Sequence, residues 1–141
     1  MAADYTIDTK TQSIRITFSG AVSITEMYES RRKMLADAAF DCSFSHLVDV
    51  RAVETIEMNG FTIKDFAQEQ TLAGSARRAI VISRSHDAGL PRMFQIFREL
   101  AGGKEAIEIF GDMRAAQKWL GLSPGNPWDE PGLRLAAAGN W

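Results

Sequence analysis

The chain has 141 residues, of which 45% are hydrophobic and 24% charged, the size and balance of one globular domain with its own core. Sixteen basic against eighteen acidic residues leave a net charge of −2, without the basic excess of a dedicated nucleic-acid binder. No run of about 18 apolar residues offers a membrane span, Met1-Ala2-Ala3-Asp4-Tyr5 lacks the pattern of a secretory leader, and the single Cys42 fits a reducing compartment, so a cytoplasmic location is expected.

Tyr5 and Ile7 alternate with polar neighbours, and Ile14, Ile16 and Phe18 do so again after Asp8-Thr9-Lys10-Thr11-Gln12. That period of two predicts a hairpin with one face in a core. Gly20 is expected to break the second strand. Ser23 and Glu26 have capping-box spacing, and Val22 with Met27 could close a hydrophobic staple over that cap. The following helix should lay Ile24, Met27, Tyr28, Arg31, Leu35 and Ala38 along its inner stripe, with a loop over 37–43.

His46 begins the next strand and reads as a hydrogen-bonded, partly buried residue. Leu47, Val48 and Val50 form a short apolar run of the kind buried on both faces. Residues 60–72 can be helical, with Phe61, Ile63, Phe66 and Ala67 inward. Arg77-Arg78 reads as a solvated pair ahead of the buried strand Ala79-Ile80-Val81-Ile82. Pro91 suits the first turn of a helix over 90–101. That helix should turn Leu90, Met93, Phe94, Phe97 and Leu100 inward and Arg92, Gln95, Arg98 and Glu99 outward, before Gly102-Gly103 stops it. Ala106-Ile107-Glu108-Ile109-Phe110 reads as the last strand, and Asp112 caps a helix whose Ala115, Ala116, Trp119 and Leu120 close the core. Such alternation implies right-handed crossovers and a mainly parallel sheet with the opening hairpin as its antiparallel edge. Residues 123–141 are rich in Pro and Gly yet hold Trp128, Leu133, Leu135 and Trp141. This tail is expected to dock on its own body or on a second copy.

Chemistry is sparse. No Gly-x-Ser-x-Gly elbow is present, and Cys42 reads as a buried, inert thiol. His86-Asp87 is too small a cluster for zinc. Gly102-Gly103-Lys104 follows a helix and so cannot cradle a phosphate at a helix start. No catalytic residue, metal or cofactor is therefore expected. The carboxyl ends of the expected parallel strands carry Asp49 with Arg51, Ser83 with Arg84, and Gly111 with Asp112, and Arg92 starts a helix nearby. Ligands of open α/β sheets bind at that edge. Arg51, Arg84 and Arg92 are thus a candidate ring for an acidic ligand or peptide, and a structural Asp49–arginine pair is the competing reading. The 90–101 helix is either plain core or, between Gly89 and Gly102-Gly103, a cover that lifts from a groove.

Four strings occur in order: Phe18-Ser19-Gly20-Ala21-Val22-Ser23 leading to Arg31-Arg32 and Phe40-Asp41; Leu47-Val48-Asp49-Val50-Arg51-Ala52-Val53; Ala79-Ile80-Val81 with Gly89-Leu90-Pro91-Arg92-Met93-Phe94; and Ile109-Phe110 through Ala116 to Trp119-Leu120. Over residues 5–122 the chain resembles the SpoIIAA-like branch of the STAS superfamily, the fold of the anti-sigma factor antagonists. The resemblance implies a single α/β STAS domain over 1–122, followed by the 123–141 tail. Its sheet should be mixed, mainly parallel and four- to five-stranded, with about four helices, mainly on one side. It also implies non-catalytic work, by docking to proteins or by binding nucleotides or lipids.

Phospho-switch members of that superfamily carry Asp-Ser-Ser-Gly after the third strand, and here that string falls on Glu57-Met58-Asn59-Gly60. Met58 has no hydroxyl to phosphorylate, so the sigma-factor switch is not expected. Two functions follow from the resemblance. One is a regulatory or protein-interaction module, homodimeric, working through Arg51, Glu57, Asn59 and the 90–101 helix. The other is a carrier of a small apolar or acidic ligand, lipid included, with that helix as lid and Met93, Phe94 and Phe97 lining the pocket.

Overall fold

The computed structural model describes residues 3–83 and 89–122. Their elements run β1 (Ala3–Asp8), β2 (Ser13–Ser23), α1 (Ile24–Ala36), β3 (Ser45–Glu57), α2 (Gly60–Phe66), β4 (Arg77–Val81), α3 (Gly89–Leu100), β5 (Ala106–Phe110) and α4 (Met113–Trp119). The strands form one sheet in sequential order, β1-β2-β3-β4-β5. β1 pairs antiparallel with β2, and every later pair is parallel. The expected α/β class, with a mainly parallel sheet and an antiparallel edge, is thus what the chain adopts.

Register sorts the side chains onto two faces. Ile16 pairs with Val48 and Val48 with Ile80, so these three form one row across β2, β3 and β4. Their face lies under α1, α2 and α3, where Phe18, Met27, Phe66 and Phe94 join a common cluster. Leu47, Ala79 and Val81 point the other way and pack against Met113, Ala116 and Leu122 around α4. Sequential parallel strands joined by crossovers of one hand place the intervening helices on one side, which is why three of them share a face.

Local chemistry accounts for most boundaries. Ser23 caps α1: Glu26 N–H donates to its Oγ at 3.1 Å, and Ser23 N–H donates to Glu26 Oε1 at 3.3 Å. Asn59 closes a similar box with Thr62 at the start of α2. Gly102 ends α3 with φ at 87°, while Gly102 and Gly103 donate to Glu99 and Arg98 carbonyls at 3.0 and 2.9 Å, a Schellman closure.

Several expectations need correction. Gly20 does not end β2: it takes φ of 66° beside an irregularity in the β2–β3 pairing, and the strand continues to Ser23. α1 buries Met27, Ser30 and Met34. Leu35 is 36% exposed and Ala38 lies beyond the helix end, because a 3.6-residue turn carries position 35 round toward solvent. α2 stops at Phe66, well short of residue 72, so 67–76 is a turn-rich segment that brings Thr71 and Leu72 into the interior. Within α3 the inward and outward assignments of two residues exchange: Leu100 is 77% exposed and Arg98 only 2%. Cys42 is exposed rather than buried. The tail 123–141 and its expected docking lie outside the described residues, as do Arg84 and His86-Asp87.

Candidate functional site

Between the inner face of the sheet and the layer of α1, α2 and α3 lies a cavity of about 120 Å³. Its walls are apolar along most of their length: Ile16, Val48, Val50 and Ile80 from the strands, with Met27 and Phe66 from the helices. At the strand-carboxyl end the lining is Ile56, Met58, Leu90 and Pro91, all partly exposed. At the strand-amino end it is polar. His46 and Arg78 face each other in register at the starts of β3 and β4, and Ser30, Arg31 and Thr71 complete that floor.

Among the described residues the floor carries two guanidiniums, Arg31 and Arg78, and no carboxylate of its own. Arg78 is 5% exposed and donates from Nη2 to Thr71 Oγ1 at 2.7 Å and from Nη1 to Glu105 Oε2 at 3.4 Å, with its guanidinium 5.0 Å from the Phe94 ring centroid. Arg31 stacks on Phe66 at 3.5 Å, and Glu69, half-exposed, comes only to 4.0 Å of it. Arg98 occupies most of Glu105, through Nε at 2.9 Å and Nη2 at 3.1 Å. Arg78 and Arg98 therefore share the buried carboxylate of Glu105, and Arg31 has only the more distant Glu69. Burial, with repulsion from the other arginines, pushes both Arg31 and Arg78 down to about 10.

His46 is 1% exposed, and its Nε2 has no hydrogen-bond partner among the described residues. Burial and the neighbouring Arg78 and Arg31 charges hold its pKa well below the usual histidine range, so the ring is neutral. Buried polar atoms are nearly always paired. A neutral imidazole nitrogen left unpaired beside a cavity is thus an opening for a ligand atom.

The residues singled out from the sequence divide among several places. Met58 and Phe94 line the cavity. Gly60 abuts α3, since a Cβ there would lie 3.3 Å from Met93 Cε. Met93 and Phe97 are half-buried on α3 but are not among the lining residues, so of the three pocket residues expected on that helix Phe94 alone lines the cavity. Glu57 and Asn59 are exposed at the β3–α2 junction, and Arg92 is exposed on α3. Asp49 belongs to the opposite face of the sheet. It accepts from Arg51 Nε and Nη2, both at 2.9 Å, and from Arg15 Nη2 at 2.8 Å. Burial raises the Asp49 pKa, but the Arg51 and Arg15 contacts outweigh it and hold the carboxyl below its ordinary value. Asp49 and Arg51 thus take the structural ion-pair role, with Arg15 as a third member that sequence reasoning missed.

The cavity floor was missed as well. Arg78 read as solvated and His46 as satisfied; both are buried, and His46 Nε2 is unpaired. The available signal was periodicity: position 78 shares the β4 face of Ile80, and 46 the β3 face of Val48.

A mainly parallel five-stranded sheet, capped on one face by three helices over a cavity, defines a small α/β domain. No protein-family model and no curated protein matches the chain. Among solved structures it is similar to an uncharacterized protein of the DUF3478 family from Shewanella loihica PV-4, described as having a SpoIIAA-like fold. That likeness covers 84% of this chain and 94% of the other, with a TM-score of 0.54 at 15% identity. The fold is SpoIIAA-like, as the sequence resemblance implied.

Proposed function

We propose that this domain is a non-catalytic binding module that encloses a small, largely apolar ligand between its sheet and α3. The cavity carries this reading. Its volume of about 120 Å³ approaches the roughly 150 Å³ apolar cavity known to hold benzene. The lining supports binding over catalysis, since among the described residues it contains no carboxylate and no thiol. Among the described residues His46 Nε2 accepts no hydrogen bond, so neither Ser30 nor Thr71 is paired with it as a base.

Native mass spectrometry of gently purified protein tests this, read together with a Val48→Phe variant that fills the cavity from the middle strand. Added mass of about a hundred daltons in the wild type and its loss in Val48→Phe is the expected result. Identical bare masses for both, with neither taking up 1-hexanol or hexanoate, would remove the reading.

A second reading, the protein-interaction module, has its own support. Phe61 is 87% exposed at the start of α2, and Ile96 and Leu100, one turn apart on α3, are 52% and 77% exposed. Such surface apolar residues suit a docking partner or a second copy of the chain.

A further inference from the structure

Resting on the ligand-binding reading, we propose that the cavity selects an anion: a monocarboxylate with a compact apolar body of about six carbons. Its carboxylate would sit on the floor formed by His46, Arg78 and Arg31, and its body would lie along Val48 and Val50 toward Leu90.

Four observations converge on this assignment. The polar side chains gather at one end of an otherwise apolar cavity, which suits an occupant with one polar end. His46 lines the cavity, its buried Nε2 lacks a partner among the described residues, and in the tautomer with its proton on Nε2 it donates one hydrogen bond. Arg78 still has an unfilled share of its donors, because its contact to Glu105 is long at 3.4 Å and Arg98 holds that carboxylate more closely. Arg31 meets its nearest carboxylate only at 4.0 Å and rests on aromatic rings instead. A carboxylate there would receive charge-assisted bonds in a dry site, where they are strongest. A cation would be repelled by Arg31 and Arg78, and a neutral alcohol would gain no charge-assisted bond from them.

The test titrates the intact chain with four probes of one length: hexanoate, 1-hexanol, hexylammonium and hexyl phosphate. Calorimetry gives the affinities, and the ¹⁵N shifts of His46 report its ring. The expected result is that hexanoate binds about tenfold to a hundredfold more tightly than 1-hexanol. Hexylammonium should not bind, and His46 Nε2 should shift with hexanoate but not with 1-hexanol. Arg78→Met should bring the hexanoate preference below threefold, and Arg78→Lys should restore part of it. The wild-type probe ratio stands even if neither variant folds. Equal affinity for hexanoate and 1-hexanol would overturn the anion assignment while leaving the cavity a binding site. Tighter binding of hexyl phosphate would overturn the choice of carboxylate. Failure of every probe would overturn both this assignment and the ligand-binding reading beneath it.

Discussion

Glu105→Gln is the sharpest test of how the helical layer is held. The Glu105 side chain is 0% exposed, and those of Arg98 and Arg78 are 2% and 6% exposed. Arg98 reaches back from the last turn of α3, bonds Glu105 just before β5, and donates from Nη1 to the Ala67 carbonyl at 2.9 Å after α2. One carboxylate thus ties α3 to the sheet, and through Arg98 to α2. Glutamine keeps the shape but deletes the charge and points an N–H₂ group at a guanidinium. Removing one partner of a buried pair costs about 3–5 kcal/mol, a large part of the roughly 5–15 kcal/mol that holds a domain together.

With a urea m-value of about 1–3 kcal/mol/M, that loss moves the urea midpoint down by about 2 M. The pH dependence has a defined sign. Burial alone would raise the Glu105 pKa, but the Arg98 hydrogen bond and the Arg78 and Arg98 charges bring it below the ordinary 4.5. The stabilisation is therefore complete above pH 4.5 and fades as pH falls through the lower folded value, so wild type and variant should converge in acid. Urea titrations at pH 7 and pH 3 measure this. A loss under about 1 kcal/mol at pH 7, or one that persists in acid, would refute the clamp.

Three further outcomes are expected. Gly103→Ala should destabilise the same clamp, because its Cβ would stand 2.5 Å from Arg98 Nη2 and 2.7 Å from Glu105 Oε1; an unchanged melting temperature would show that the pair can shift aside. His46 stays neutral when folded but gains a proton near pH 6.5 when unfolded. Stability should therefore fall from pH 6.5 toward about pH 5 by up to about 1.4 kcal/mol per unit, and His46→Gln should flatten that slope in denaturation series. Asp49→Asn removes the charge that Arg15, 2% exposed, meets at 2.8 Å and should cost about 3 kcal/mol in urea melts. Hexanoate affinity should stay within about twofold, because Asp49 lies across the sheet from the cavity; a tenfold change would contradict that separation.

The fold was readable in the sequence wherever one local rule decided the outcome. Alternation at Ile14, Ile16 and Phe18, the Ser23–Glu26 box and the Gly102-Gly103 stop each fix a boundary by chemistry within a few residues. Where long-range burial decides, the same rules misled. Arg98 sits among the polar positions of α3, yet Glu105 and the Ala67 carbonyl draw it inside, and Leu100 is left in solvent. Arg78 and His46 look like strand-start polar residues until the β3–β4 register places them opposite each other. The candidate site suffered most, because it is made by register across four elements. The arginines sought at the strand-carboxyl edge gave Arg51 to an ion pair, while the buried arginines lie at the other end of the strands.

The cavity links binding to stability, because whatever fills it adds packing contacts. At about 24 cal/mol per Å³, filling 120 Å³ adds at most about 3 kcal/mol of packing. Val48→Phe places a ring in that space, between Ile16 and Ile80 in the row across the sheet. The gain from filling offsets the roughly 1–3 kcal/mol that overpacking costs, so the variant should melt within a few degrees of wild type. Hexanoate at a hundred times its dissociation constant should stabilise wild type by about 2.7 kcal/mol, or about 5–10 °C, and should leave Val48→Phe unmoved. Scanning calorimetry with and without hexanoate separates the cases. If the variant melts far lower, the space is not one that a ring can fill. If hexanoate raises both melting temperatures alike, it binds elsewhere, and the empty cavity would be a packing defect with no bearing on function.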